Sequence, residues 1–131
     1  MLLDTSGLMC LFDRRDTRHA NATKYYDSAP SRLSHNYVLA EFVGLAIARR
    51  APRVEALSFI GAIGRSDEVE VVWVNEDLHD RALLFLSQRT DKAWSLCDAV
   101  SFVLMNERRA MEALTTDHNF EQAGFVRLLD G

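Results

Sequence analysis

Short and long apolar segments alternate along the chain, and the two kinds differ in spacing. The short segments are rich in leucine or β-branched residues, as in buried strands, and the clearest is Glu-Val-Val-Trp-Val at 70–74. The long segments repeat apolar residues every three or four positions, as in amphipathic helices. Strands are therefore predicted at 1–4, 32–35, 70–74, 113–116 and 125–129. Helices are predicted from Thr5 onward, around 20–25, and at 37–50, 53–64, 76–88, 95–109 and 118–123.

Strands that alternate with helices predict an α/β protein, here a three-layer α/β/α domain with a short, mainly parallel central sheet. Asn36 and Asn75 precede two of the helices and are predicted to cap them. Ala20 and Tyr25 are the predicted core contacts of the second helix, and Gly124 is predicted to end the last helical turn.

The composition is that of one globular domain. With 131 residues, 48% hydrophobic and 26% charged, the chain can bury one core but not two, so residues 1–131 are expected to form a single domain. No segment reaches the roughly 20 apolar residues of a membrane span. The N-terminus meets an acid at Asp4 and lacks the layout of a signal peptide, so a cytoplasmic protein without membrane contact is expected.

Cysteine, histidine and net charge restrict the chemistry further. Cys10 and Cys97 are far apart in apolar segments and are predicted to be reduced thiols, and the four histidines show no zinc-binding spacing. The net charge of −4 argues mildly against a protein that grips nucleic acid over a broad surface. Arginines do cluster locally near 14–18, 49–53 and 108–109, although a solvated helix face is the simpler interpretation of any one cluster.

Two acids follow predicted strands. Asp4 and Asp117 each lie at the C-terminal end of a strand, and that edge of a parallel sheet is where ligands bind in open α/β folds. Each also has an ordinary explanation. Asp4 could cap the helix that starts at Thr5, and Asp117 could be a turn residue before His118.

Two further acids lie in apolar helical segments. Asp98 follows Leu-Cys and precedes Ala-Val, and Glu41 is similarly surrounded, although buried carboxylates are rare unless paired or bound to metal. Asp98 could instead cap its helix or pair with Arg81 or Arg89. Glu41 could lie on a partly exposed helix face.

The proposed fold could bring these four acids to one edge of the sheet. Two carboxylates about 5 Å apart repel by roughly 3 kcal/mol at an effective dielectric near 20. Such a cluster needs either protons or a cation, and with no soft ligands nearby the expected cation is Mg²⁺ or Mn²⁺. A hard cation held by few carboxylates suits phosphodiester hydrolysis.

Four short segments, in order, resemble the PIN-domain family, and within it the VapC-type toxin ribonucleases. They are Leu-Asp-Thr-Ser-Gly-Leu at 3–8, Leu-Ala-Glu at 39–41, Ser-Leu-Cys-Asp-Ala-Val-Ser-Phe at 95–102 and Leu-Thr-Thr-Asp-His-Asn-Phe-Glu-Gln-Ala-Gly-Phe at 114–125. Each segment alone is short and loose, but the series of four covers nearly the whole chain. The resemblance implies a PIN-like fold and a Mg²⁺- or Mn²⁺-dependent endoribonuclease, the toxin of a type II toxin–antitoxin pair.

The resemblance also implies roles for individual residues. Asp4 and Asp98 are the expected principal metal ligands, and Asp117 completes the cluster directly or through water. Glu41 is expected to hold a second metal or to orient the attacking water. Supporting positions follow from the same likeness: hydroxyls at Ser6 and Thr115, and a neutral Asn119 where some members carry another acid.

By the same likeness the partners are an RNA substrate, a second copy in a homodimer, and a small antitoxin whose tail enters the active-site groove. Three alternatives differ in class. One is a catalytically silent PIN-like module that binds RNA or protein, although such a module is expected to lack some of the acids. Another is an aspartate phosphatase or phosphoacceptor, which the serine at position 6 disfavours. The last is a related DNA nuclease, for which the chain lacks the length of a helical arch or duplex clamp.

Overall fold

The computed structural model describes residues 1–131, with twelve regular elements. The strands are β1 (Leu2–Leu3), β2 (Leu33–His35), β3 (Glu70–Val72), β4 (Glu112–Leu114) and β5 (Val126–Arg127). The helices are α1 (Thr5–Phe12), α2 (His19–Ser28), α3 (Asn36–Ala48), α4 (Arg53–Arg65), α5 (Glu76–Ser87), α6 (Leu96–Arg108) and α7 (Asn119–Gln122). Every predicted element is present, and the strands are shorter than predicted. None of the seven helices combines the length and the hydropathy that a membrane-spanning segment requires.

The five strands form one sheet in the order β3-β2-β1-β4-β5, and every neighbouring pair is parallel. The prediction of a mainly parallel sheet is thus confirmed. Strand β1 lies at the centre, where Leu2 pairs with Leu33 of β2 and with Ala113 of β4. The residues that follow β1 and β4 therefore leave the sheet side by side at its C-terminal edge.

The sheet separates two hydrophobic cores, which confirms the three-layer α/β/α architecture. Because successive strand residues point to opposite faces, Leu2 packs into one core and Leu3 into the other, and both are fully buried. The Leu3 core is built around Leu8, Phe42 and Ile60 of α1, α3 and α4. The Leu2 core is built around α6 and is rich in aromatic rings. Phe102 packs against the rings of its neighbours Phe85, Trp94, Phe120 and Phe125.

Two sequence predictions about the helices are wrong. Asn36 is the first residue of α3 and does not cap it; its Oδ1 accepts a hydrogen bond of 2.6 Å from the N–H of Val74 and so ties α3 to the segment after β3. In α2 the residue buried in the core is Ala22 rather than Ala20 or Tyr25, which are both exposed. The predicted cap at Asn75 is confirmed, because its side chain accepts from the N–H of Leu78.

Candidate active site

Asp4 is held by hydroxyl groups at the end of the central strand. Its Oδ2 accepts a 2.7 Å hydrogen bond from the Thr115 hydroxyl and a 3.2 Å hydrogen bond from the Ser6 hydroxyl. The two hydroxyl oxygens lie 3.1 Å apart, and Thr115 Oγ1 also accepts from the N–H of Asp117. Although Asp4 occupies the N-cap position of α1, its side chain makes no capping hydrogen bond. The capping explanation of this acid is therefore wrong, and Asp4 faces the sheet edge instead.

Gly7 makes this arrangement possible. A Cβ atom at this position would lie 1.9 Å from the carbonyl oxygen of Leu114, so only glycine lets α1 pack directly on β4. The close approach brings the first turn of α1 against the residues that follow β4. As a result, the N–H of Thr116 donates a 3.0 Å hydrogen bond to the Ser6 hydroxyl.

Asp98 belongs to a capping box at the start of α6. Its Oδ2 accepts from the N–H of Ser95 at 3.0 Å, while its own N–H donates to the Ser95 hydroxyl. The side-chain amide of Asn119 donates a further hydrogen bond of 3.3 Å to the same oxygen. Asp98 is nearly buried, with 9% exposure. The neutral Asn119 is thus a hydrogen-bond donor to Asp98.

Asp98 has no arginine partner. Arg81 pairs with Asp77 and Glu107, and Arg89 lies beside Asp91. The charge on Asp98 is consequently not neutralised by either of the arginines that the sequence suggested.

The pKa values of both strongly buried acids are raised. Burial raises the pKa of Asp4 to about 7; the hydrogen bond from Thr115 opposes this, and the negative charges of Asp98 and Glu41 add to it. Burial also raises the pKa of Asp98, together with the charge of Asp117 and against the hydrogen bonds from Ser95 and Asn119. The acids therefore influence one another across a common space.

That space is an open cleft of about 460 Å³ at the C-terminal edge of the sheet. Asp4, Asp98, Glu41 and Asp117 all line it. Glu41 is exposed on α3, as the alternative interpretation of this residue held, but its exposed face is the wall of the cleft. The turn interpretation of Asp117 also holds in part, since its Oδ1 accepts from the N–H of Asn119 at 2.8 Å.

The sequence analysis missed the two cleft residues with basic side chains, Arg127 and His118. Arg127 of β5 is anchored by a hydrogen bond from its Nη1 to the Thr116 carbonyl and by an ion pair with Glu121. It is the one arginine or lysine among the residues that line the cleft. The sequence could have suggested Arg127, because this residue lies on the predicted strand at 125–129, which directly follows the segment that contains Asp117.

The donor set suits a hard cation. The hydrogen bonds to hydroxyl and amide groups fall on one oxygen of each carboxylate: Asp4 Oδ2, Asp98 Oδ2 and Asp117 Oδ1. No side-chain donor reaches the second oxygen of any of the three, and oxygen-only donors favour Mg²⁺ or Mn²⁺. As positioned, no group of three or more His, Cys, Asp or Glu side chains is arranged to hold a metal ion. A shared ion thus requires side-chain rotation, which is easiest for the exposed Glu41 and the half-buried Asp117.

Cys10 and Cys97 are both free, as predicted. Cys97 lies next to Asp98 in sequence, and burial raises the pKa of its thiol, with the charge of Glu41 as the next contribution. Cys97 is not among the residues that line the cleft, so the lining of the cleft contains no cysteine.

The fold and the site together define the class of protein. It is a three-layer α/β/α domain with a parallel sheet and a cleft lined by carboxylates at the C-terminal edge of that sheet. Comparison with known proteins identifies the family: the PIN domain model matches residues 1–126. The chain is 31% identical over 129 residues to the 23S rRNA-specific endonuclease VapC20 of Mycobacterium tuberculosis, from strains CDC 1551 / Oshkosh and H37Rv. This match covers 98% of the chain and 97% of the relative. The crystal structure of M. tuberculosis VapC20, described as a sarcin-ricin loop cleaving toxin, matches with a TM-score of 0.86 and 32% identity, covering 95% of each chain. The chain belongs to the PIN-domain family.

Proposed function

We propose that this protein is a metal-dependent endoribonuclease, the toxin of a type II toxin–antitoxin pair, and that residues 1–131 act as a single nuclease domain. The observation that carries the proposal is the convergence of Asp4, Glu41, Asp98 and Asp117 on one cleft. They come from four separate segments of a PIN-family chain: Asp4 follows β1, Glu41 lies in α3, Asp98 lies in α6 and Asp117 follows β4. Similarity to an endonuclease toxin over nearly the full length supports the same activity.

In this proposal Asp4 and Asp98 are the principal metal ligands, with Asp117 and Glu41 at the open side of the cleft. When bound, Mg²⁺ or Mn²⁺ offsets phosphate charge and makes a water molecule more acidic. Ser6 and Thr115 fix the orientation of the Asp4 carboxylate.

The remaining cleft residues act on the substrate and the attacking water. Asn119 fixes the Asp98 carboxylate through its amide hydrogen bond. Glu41 is exposed on the cleft wall, where it holds a second metal or orients the attacking water. Arg127 lines the same cleft and offers its guanidinium to an RNA phosphate.

The substrate and partners follow from the relatives. VapC20 is named as specific for 23S rRNA and as a toxin that cleaves the sarcin-ricin loop. We propose a structured RNA hairpin of that kind as the substrate here, a small antitoxin protein as the inhibitor, a homodimer as the working unit, and the cytoplasm as its location.

The decisive experiment incubates the purified protein with a synthetic sarcin-ricin hairpin and Mn²⁺. Wild type should cleave it at a defined site, EDTA should stop cleavage, and Asp98→Asn should reduce kcat by at least about 100-fold, because a principal metal ligand is lost. Exposed Asp67→Asn is the matched control and should cleave like wild type.

A second readout measures metal binding without activity. Mn²⁺ should raise the Tm of wild type by mass action and should raise that of Asp98→Asn much less. An inert wild type that still binds RNA would favour the catalytically silent module. Full activity in Asp98→Asn would contradict the assigned site.

A further inference from the structure

A second groove lies on the same two helices as the acidic cleft. Helix α1 begins in the cleft with Thr5 and Ser6 and ends at Phe12, which lines a groove of about 570 Å³. Helix α3 carries Glu41 in the cleft and reaches the same groove at Arg49. Glu41 and Arg49 are eight residues apart, which is about 12 Å along a helix.

The groove is strongly basic, and we call it the arginine groove after Arg14, Arg15, Arg49 and Arg50, which line it. Its acids are Asp13 and Glu55 alone. All four arginines are exposed, and only Arg15 has an ion-pair partner, Asp13 at 3.5 Å. Four cations against two anions leave a local excess of positive charge in a chain with a net charge of −4.

Arg50 holds its place in an unfavourable backbone conformation. With φ of 55° it lies in the left-handed region that favours glycine. It closes a Schellman motif at the end of α3, in which Ala51 N–H donates to Ala46 O and Arg50 N–H donates to Ile47 O. A long cationic side chain at this position directs charge into the groove where glycine would be the more stable choice.

The other end of the molecule provides an internal comparison. Arg109 closes the same motif after α6 with φ of 54°. The side chains of its groove, however, are balanced in charge, since Arg32, Arg108 and Arg109 lie with Asp67, Glu68 and Glu70. The N-terminal ammonium of Met1 also lies there and donates to the Ser31 carbonyl. Arg108 is paired with Glu70. The excess of positive charge is therefore a property of the arginine groove and not of every helix end.

We propose that the arginine groove binds the phosphate backbone of the RNA on one side of the cleavage point. This inference rests on the proposed nuclease function. An RNA chain in the cleft must continue beyond it, and α1 and α3 lead from the cleft to the groove within a few nucleotides. The acidic cleft repels phosphates, so attraction over a broader surface has to come from a basic site such as this one. An acidic protein segment would satisfy the same charge, but RNA carries a negative charge at every nucleotide and so presents phosphates along the whole path from the cleft to the groove.

The test compares Arg50→Gly with Arg109→Gly, two variants that remove the same charge from the same backbone motif. Binding of a fluorescent hairpin RNA is measured by anisotropy in EDTA, so that no cleavage occurs. Each lost phosphate contact should weaken binding by about five- to eightfold at 0.1 M salt and lower the slope of log Kd against log salt by about 0.7–0.9. Arg50→Gly should show this loss, and Arg109→Gly should bind within about twofold of wild type, because three acidic side chains line the Arg109 groove and repel phosphates. Both variants should melt no lower than wild type, since glycine suits the left-handed position.

Equal RNA binding by the two variants would overturn the proposal, and so would undetectable binding by wild type in EDTA. If Arg50→Gly lost binding to a poly-glutamate peptide but bound RNA like wild type, the groove would belong to a protein partner, and the proposal of RNA binding would be overturned. The nuclease proposal has its own test, because cleavage is measured with Mn²⁺ and binding in EDTA. If wild type bound the hairpin but did not cut it with Mn²⁺, the nuclease proposal would fail while the binding comparison could still be interpreted.

Discussion

Replacing Asp4 by asparagine should stabilise the metal-free protein at neutral and alkaline pH. Asp4 is only 6% exposed, and burial raises its pKa from 3.8 to about 7. The folded protein therefore holds this proton more tightly than the unfolded chain, so stability falls as pH rises from about 4 to 7. The interval between 3.8 and about 7 corresponds to a cost of about 4 kcal/mol above pH 7. Asparagine avoids that cost, and its amide oxygen can still accept from Ser6 and Thr115.

The assay is urea unfolding in EDTA at two pH values. At pH 8 the free energy of unfolding of Asp4→Asn should exceed that of wild type by about 4 kcal/mol. At pH 5 the difference should be about 1.5 kcal/mol, because only the part of the cost that arises between pH 3.8 and 5 is then present in wild type. Exposed Asp67→Asn should change stability by less than about 0.5 kcal/mol at both. A variant no more stable than wild type at pH 8, or an advantage independent of pH, would refute the electrostatic account of this site.

Two other perturbations test the fold around the site. His35 is fully buried, with Nε2 2.8 Å from the Ser101 hydroxyl and Nδ1 without a partner, and burial lowers its pKa to about 4. Since the folded protein resists protonation of His35, the free energy of unfolding should fall by about 3 kcal/mol as pH drops from 6.5 toward 4. In urea titrations His35→Gln should show a smaller loss of stability over this range, and a pH profile identical to that of wild type would contradict the assignment. Gly7→Ala should destabilise by about 2–3 kcal/mol or prevent folding, because the new methyl group meets the backbone of Leu114. At Gly44 an added Cβ would meet no atom within 4 Å, so Gly44→Ala should raise the free energy of unfolding by about 0.5–1 kcal/mol. If the two alanine variants melted at similar temperatures, α1 would be able to move away from β4, contrary to the packing argument.

The effects of Asp4 and His35 act in opposite directions over the same pH range. Burial keeps a proton on Asp4 but removes one from His35. The pH dependence of wild type alone therefore mixes the two. Each contribution is visible only as the difference between a variant and wild type.

The sequence alone was enough to predict the elements and the architecture, because helix and strand periods are local. The run at 70–74 has strand composition, and Leu2 and Leu3 alternate between the two cores as a period of two requires. The predictions that failed concern which partner a side chain contacts in the folded protein. Asn36 bonds to Val74 rather than capping α3, and α2 turns Ala22 inward, because strand neighbours and helix rotation are fixed only by packing.

The same division holds for the site. The unusual positions of Asp98 and Glu41 in apolar helices marked both as candidates from the sequence, and the fold brings the two acids to one cleft. Only the tertiary structure decided that Asp98 is fixed by Ser95 and Asn119, and that Arg127 reaches the cleft from β5. The parallel order of β1, β4 and β5 is responsible, because it places the ends of distant segments side by side, and no local pattern records which strands are neighbours.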